Sequence, residues 1–98
     1  MLLLERQTDP LNSEQLHTQA RAYKLLEQHQ KAAAALRELL AKDPEKPSWR
    51  FELAEVLYAQ GRLEEAQRAL VIVLAQKPDH AGARELLLLV RHELERKR

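Results

Sequence analysis

The sequence predicts an all-α fold in which antiparallel helix pairs stack into an α-α superhelix. Pro10, Pro44 and Pro78 lie 34 residues apart, which is the length of one helix-turn-helix unit. The same spacing relates residues that precede the prolines: Leu2, Leu36 and Leu70. The chain is 45% hydrophobic but only 4% aromatic, has two glycines, and is rich in the best helix formers. Both observations favour helices over strands.

Local signals place the first two helices. Asn12 followed three residues later by Gln15 is typical of a capping box, so a helix should begin near Ser13 and run to about Glu27. A second helix is predicted from about Gln30 to Ala41. The loop between them is therefore short, as antiparallel neighbours require.

A proline, a glycine and an aspartate indicate where the remaining three helices begin or end. Pro47 suits the first turn of a third helix, because a backbone N–H at that place would have no partner within the helix and proline has none. Gly61 suits the left-handed residue that ends this helix. A fourth helix is predicted over 63–76, and Asp79 is predicted to cap a fifth helix that reaches nearly to the chain end.

Residues 47–80 carry a helix-pair motif: Leu53, Ala54, Leu57, Gly61, Ala66, Leu70 and Pro78. Residues 13–46 carry a weaker version: Leu16, Ala20, Tyr23, Ala32, Leu36 and Pro44. These patterns resemble the tetratricopeptide repeat, with a first helix of Trp-x2-Leu-Gly-x2-Tyr type and a second of Ala-x3-Phe type. Three positions depart from the pattern: Gln19 replaces a leucine, Glu27 stands where the next repeat has Gly61, and Arg50 replaces the tryptophan, with Trp49 one residue early. We expect Trp49 near the junction between the two repeats.

We interpret residues 1–98 as one domain with four parts. The parts are the end of a partial repeat (1–10), two repeats (13–46 and 47–80) and a terminal capping helix (81–98). Because residues 1–7 align with the second half of a repeat, the resemblance suggests a fragment of a longer bacterial-type repeat protein, or a short N-terminal cap. A natural start with an amphipathic turn is the alternative.

The terminal helix combines a polar side with an unusual apolar run. Arg84 and Arg91 replace bulky apolar residues of the repeat, as expected of a cap that faces water. Residues 86–90 are nevertheless all apolar. We expect three directions for these side chains: Leu87, Val90 and Leu94 toward the preceding repeat, Leu86 and Leu89 toward the concave side, and Leu88 toward the place of a next helix. A partner chain, a bound peptide or a second copy would cover the exposed leucines; a slightly apolar terminal helix is the alternative.

Composition excludes several function classes. Sixteen basic and fifteen acidic residues give a formal charge of +1, so nucleic acid or an anionic membrane surface is not expected as a partner. No cysteine is available for a disulfide or a thiolate metal site. No apolar span is long enough for a secretory signal or a membrane helix. A cytoplasmic and a periplasmic location both remain open.

No catalytic, metal or cofactor site is predicted. The four histidines lie far apart without metal-ligand spacing: His17, His29, His80 and His92. Ser13 and Ser48 both fall at predicted helix starts, where capping explains them. No glycine-rich phosphate loop is present. We therefore predict a chain that is not an enzyme.

The resemblance implies a concave groove lined by the first helix of each repeat. The positions concerned are His17, Arg21 and Lys24 from the first repeat, Phe51, Glu52, Glu55 and Tyr58 from the second, and Glu85, Leu86, Leu89 and His92 from the terminal helix. This groove has a basic end, an acidic middle and an apolar strip. Phe51 and Tyr58 are the expected anchors, because aromatic side chains often dominate binding energy.

The function predicted from the sequence is that of a non-catalytic protein-protein interaction scaffold, which binds a peptide or helix in this groove. Family members that clamp acidic chaperone tails use cations, whereas Glu52 and Glu55 would repel such a tail. An amphipathic helix or an extended mixed-charge segment is preferred. The alternative is a structural or self-association module within a larger multi-repeat protein. Such a module could form a homo-oligomer.

Overall fold

The computed structural model describes residues 12–97, which form five α-helices and contain no strand. The helices are α1 (Ser13–Leu25), α2 (His29–Lys42), α3 (Pro47–Ala59), α4 (Leu63–Gln76) and α5 (Ala81–Arg96). This confirms the predicted all-α fold. The partial repeat predicted at 1–10 lies outside the described residues.

The 34-residue period is visible in the helix boundaries. Helices α1, α3 and α5 begin at residues 13, 47 and 81, and α2 and α4 span 29–42 and 63–76. Each helix packs on the next one in the chain, and α3 also contacts α5. The first helices of successive repeats, α1, α3 and α5, therefore lie on one side of the stack, and α2 and α4 lie on the other.

Small side chains allow the paired helices to approach closely. The alanines at the crossings are almost completely buried: Ala20, Ala32, Ala54 and Ala66. Larger side chains fill the space around them, with Leu36 and Leu70 fully buried in α2 and α4. Trp49 is buried at the start of α3, and its ring centroid lies 6.0 Å from that of His17 in α1. This position confirms that Trp49 lies where the second repeat packs on the first.

The capping box at the start of α1 is present as predicted. The backbone N–H of Gln15 donates to Oδ1 of Asn12 at 2.8 Å, and the backbone N–H of Asn12 donates to Oε1 of Gln15 at 3.1 Å. Two donors that the helix itself cannot satisfy thereby gain partners. Such a cap stabilises a helix by about 0.5–2 kcal/mol.

Helix α1 ends two residues earlier than predicted, because Glu27 adopts a left-handed conformation. Its φ of 60° resembles the 78° of Gly61, which ends α3 at the equivalent place. The following backbone N–H groups make equivalent bonds, from Gln28 to the carbonyl of Tyr23 at 2.8 Å and from Arg62 to that of Leu57 at 2.9 Å. The departure from the repeat pattern at Glu27 therefore leaves the shape of the turn intact.

The prediction that Asp79 caps α5 is wrong. The N-cap is His80, whose Nδ1 accepts a hydrogen bond from the backbone N–H of Ala83 at 3.0 Å. The turn after Pro78 is one residue longer than the sequence suggested, so the imidazole rather than the carboxylate reaches the free backbone donor.

The apolar run of α5 divides between core and surface. Leu87 and Val90 are buried and Leu94 packs against the core, as predicted. Leu88 and Leu89 stay exposed, at 67% and 52%. Leu88 stands at the place that buried alanines occupy in α1 and α3, and no helix among residues 12–97 covers it.

Candidate functional site

A cleft of about 450 Å³ lies between α1 and α3 and reaches the start of α5. It is lined by Arg21, Lys24, Leu25, Ser48, Phe51, Glu52, Glu55 and His80. The spacing of Arg21 and Leu25, four residues apart, places both on one face of α1. Five of the predicted groove residues thus line one cleft: Arg21, Lys24, Phe51, Glu52 and Glu55.

Two side-chain pairs connect α1 to α3. Nε2 of His17 lies 2.9 Å from Oε2 of Glu52, and Nζ of Lys24 lies 2.6 Å from Oε1 of Glu55. Each carboxylate of the predicted acidic middle therefore has a hydrogen-bond partner from the predicted basic end, and the ammonium group of Lys24 also neutralises Glu55. The repulsion that the sequence predicted for an acidic ligand is correspondingly weaker.

Arg21 also lines the cleft and takes part in neither of these pairs. It is exposed and makes no hydrogen bond or ion pair with any residue of the described range 12–97. A planar guanidinium can hold a carboxylate through two parallel hydrogen bonds. Within residues 12–97, the cleft thus has one cation without a carboxylate partner.

The apolar wall of the cleft consists of Phe51 and Leu25. Phe51 is half-buried, and its ring centroid lies 4.7 Å from that of His80. Gly82 leaves room for this ring, because a Cβ at that position would lie 3.0 Å from Cζ of Phe51. Leu25, by contrast, is 84% exposed. The wall therefore consists of the Phe51 ring, which packs against the start of α5, and the exposed side chain of Leu25.

The other six predicted groove residues do not line this cleft: His17, Tyr58, Glu85, Leu86, Leu89 and His92. Tyr58 and Leu86 are half-buried and pack against the core. Glu85, Leu89 and His92 are exposed on α5. The structure thus brings five of the eleven predicted groove residues into one cleft, and a groove that all eleven share stays a prediction.

Sequence reasoning missed three residues that line the cleft. Leu25 had a usable signal, since it follows Arg21 by four residues and so shares its face of α1. Ser48 was considered only as a residue at a helix start, where it does lie, in the first turn of α3. His80 had no signal in the sequence, because its place depends on the turn between α4 and α5.

Neither a metal-binding cluster nor a membrane-spanning helix is found among the described residues. In the range 12–97, no three His, Asp or Glu side chains come together in a way that could hold a metal ion. None of the helices in this range is both long enough and apolar enough to span a membrane.

Comparison with known proteins agrees with the repeat. The family model described as "Tetratricopeptide repeat" matches residues 25–89. Among solved structures, the Sgt2 TPR domain from Aspergillus fumigatus is similar, with a TM-score of 0.80 at 22% sequence identity. The match covers 85% of this chain and 55% of that one, so the chain spans about half of the solved domain. No curated protein matches the sequence significantly.

The family match covers more than half of the chain, and the structural match shows the same fold. Tetratricopeptide repeat domains are in general scaffolds for protein-protein interaction and are typically not enzymes, because stacked repeats present an extended binding surface. The chain belongs to the tetratricopeptide repeat family.

Proposed function

We propose that this chain is a non-catalytic scaffold that binds a peptide segment of another protein in the cleft between α1 and α3. The observation that carries the proposal is the position of the exposed Leu25 one helical turn from Arg21, on the same wall of the cleft. An apolar group and an uncompensated cation side by side can recognise two neighbouring groups of a ligand.

The apolar part of the ligand would contact Leu25 and Phe51. Leu25 is 84% exposed without a ligand, so binding would remove most of its surface from water. Full burial of a leucine stabilises a complex by about 1.5–3 kcal/mol. A partner side chain of leucine, isoleucine or phenylalanine type fits this role.

The polar part of the ligand would be a carboxylate that pairs with Arg21. The charges of Lys24 and Glu55 cancel across the cleft, and Glu52 is bonded to His17. Arg21 is the cation of the cleft that has no carboxylate partner among residues 12–97, and one acidic residue of a ligand suffices to pair with it. The preferred ligand is a mixed segment in which an apolar residue lies close to an Asp or Glu.

Selection from a random peptide library displayed on phage, with the chain as bait, tests this proposal. We expect enriched peptides to pair an apolar residue with an acidic one within a few positions. Titration of a synthetic enriched peptide into isotope-labelled protein should shift amide resonances of α1 and α3 around Arg21 and Leu25.

Adjacent leucines supply a matched control. Leu25 lines the cleft, whereas Leu26 is also exposed, at 66%, but does not line it. Leu25→Ser should weaken peptide binding about tenfold, which corresponds to 1.4 kcal/mol, and Leu26→Ser should leave it unchanged. Arg21→Ala should weaken binding of acidic peptides more than Arg68→Ala, which alters an exposed arginine of α4. Equal effects of the two leucine variants would contradict the proposal.

A further inference from the structure

Helix α5 has an exposed face whose residues do not line the cleft. Glu85, Leu88, Leu89 and His92 are all exposed, and their spacing of i, i+3, i+4 and i+7 places them on one side of the helix. The opposite side of α5 holds the buried residues Ala83, Leu87 and Val90. The exposed four form the outer face of α5 and have no cover among the described residues.

The same face of α1 is occupied within the chain. The equivalents of the outer face of α5, 68 residues earlier, are His17, Ala20, Arg21 and Lys24. His17 and Lys24 pair with Glu52 and Glu55 of α3. In the first repeat this face therefore contacts the neighbouring helix α3. In α5 the equivalent face is exposed and has two leucines at its centre.

We propose that the outer face of α5 binds α5 of a second copy of this chain in antiparallel orientation. A two-fold axis between Leu88 and Leu89 would place each leucine against the other one of the second copy. The same axis would set Glu85 opposite His92 of the second copy, and His92 opposite its Glu85. The face is thus complementary to itself, as a symmetric dimer requires.

The complementarity of Glu85 and His92 determines this choice of occupant and orientation, because a carboxylate accepts a hydrogen bond that a histidine ring can donate. Within one chain, Nε2 of His17 already lies 2.9 Å from a carboxylate oxygen of Glu52, which shows that a histidine and a glutamate can join two helices of this stack. A parallel arrangement would instead set Glu85 against Glu85.

The dimer should be weak and reversible. One pair of helices of 16 residues offers a contact smaller than the roughly 1,200 Å² at the lower end of stable interfaces. The two exposed leucines per chain supply the apolar centre, and the two Glu85–His92 pairs at its edge select the orientation. Association should therefore appear as the protein concentration rises.

Sedimentation equilibrium of the full 98-residue chain at several concentrations measures this association. The wild-type chain should shift from monomer to dimer as concentration rises. Leu88→Glu should remain monomeric, because it places a carboxylate at the apolar centre. Circular dichroism checks that the variant folds, which is expected since Leu88 is 67% exposed.

A charge reversal at Glu85 distinguishes this interface from non-specific hydrophobic association. Glu85→Lys would set a cation against His92 and should weaken dimerisation about tenfold, or 1.4 kcal/mol over two symmetric contacts. The double variant Glu85→Lys, His92→Glu again sets a carboxylate opposite a hydrogen-bond donor and should restore affinity to within about threefold of wild type. Glu38→Lys makes the same charge change on the exposed surface of α2 and should have no effect.

Three results would overturn the proposal. The first is a wild-type chain that stays monomeric at all concentrations. The second is a dimer that survives Leu88→Glu, which would place the contact elsewhere, for example at Leu2–Leu4. The third is a Glu85→Lys defect that His92→Glu fails to repair, which would exclude the antiparallel pairing. None of these results affects peptide binding in the cleft, since Arg21 and Leu25 lie on α1.

Discussion

The ammonium group of Lys24 lies 2.6 Å from Oε1 of Glu55, and this pair connects α1 to α3 across the cleft. Both side chains are 36% exposed, so water screens their attraction. A pair of this kind contributes about 0.2–1 kcal/mol to stability. Its larger effect should be on the charge of the cleft, where it neutralises Glu55.

The first prediction concerns this pair. Lys24→Ala should lower the free energy of unfolding by less than about 1 kcal/mol, but should weaken binding of an acidic peptide, because it leaves Glu55 without its cation. Urea denaturation of Lys24→Ala, Glu55→Ala and the double variant gives the coupling energy. A coupling above about 2 kcal/mol would mean that the pair is far less screened than its exposure indicates.

The second prediction concerns the core between the paired helices. Leu70 is fully buried in α4, so Leu70→Ala should cost about 2–5 kcal/mol through lost contacts and the cavity that remains. Leu88→Ala removes the same atoms from a side chain that is 67% exposed, and serves as the control. Urea denaturation measures both. A cost below about 0.5 kcal/mol for Leu70→Ala would contradict its place between the helices.

The helices themselves could be predicted from the sequence because their signals are local. The capping box of Asn12 and Gln15 spans four residues, and Pro47 and Gly61 act through their own backbone. The fixed 34-residue period then transferred each boundary from one repeat to the next. Such signals do not depend on how the repeats stack.

The cleft could be predicted only in part, because its geometry depends on contacts between repeats. His17 and Glu52 are 35 residues apart, and the twist between α1 and α3 decides whether they meet. The sequence indicated both charges but not their pairing. Tyr58 shares the repeat register of the groove, yet packing against the core removes it from the lining of the cleft.

The third prediction concerns the left-handed residues that end α1 and α3. A residue with a Cβ is strained in this conformation by about 1–2 kcal/mol, whereas glycine is not. Glu27→Gly should therefore stabilise the chain by up to about 1 kcal/mol, after allowing for the greater freedom of glycine in the unfolded chain. Gly61→Ala should destabilise it by a similar amount.

Thermal denaturation tests both changes under the same conditions. Gly61 has no atom within 4 Å of a Cβ built on it, so the effect of Gly61→Ala would reflect backbone conformation and not a steric clash. Destabilisation by Glu27→Gly would show that the glutamate side chain stabilises the turn in a way that its exposed position does not indicate.

The last prediction concerns the aromatic residues expected to anchor a ligand. Phe51 lines the cleft, whereas Tyr58 does not, so Phe51→Ala should weaken binding of an enriched peptide by about 1–4 kcal/mol and Tyr58→Ala by less. Phe51 also packs against His80, so its truncation should cost stability as well, and unfolding must be measured beside affinity. Glu64→Ala, on the exposed surface of α4, should alter neither. Binding that survives the double change of Phe51 and Tyr58, but is lost on changing the outer face of α5, would mean that α3 is a spacer and not a receptor.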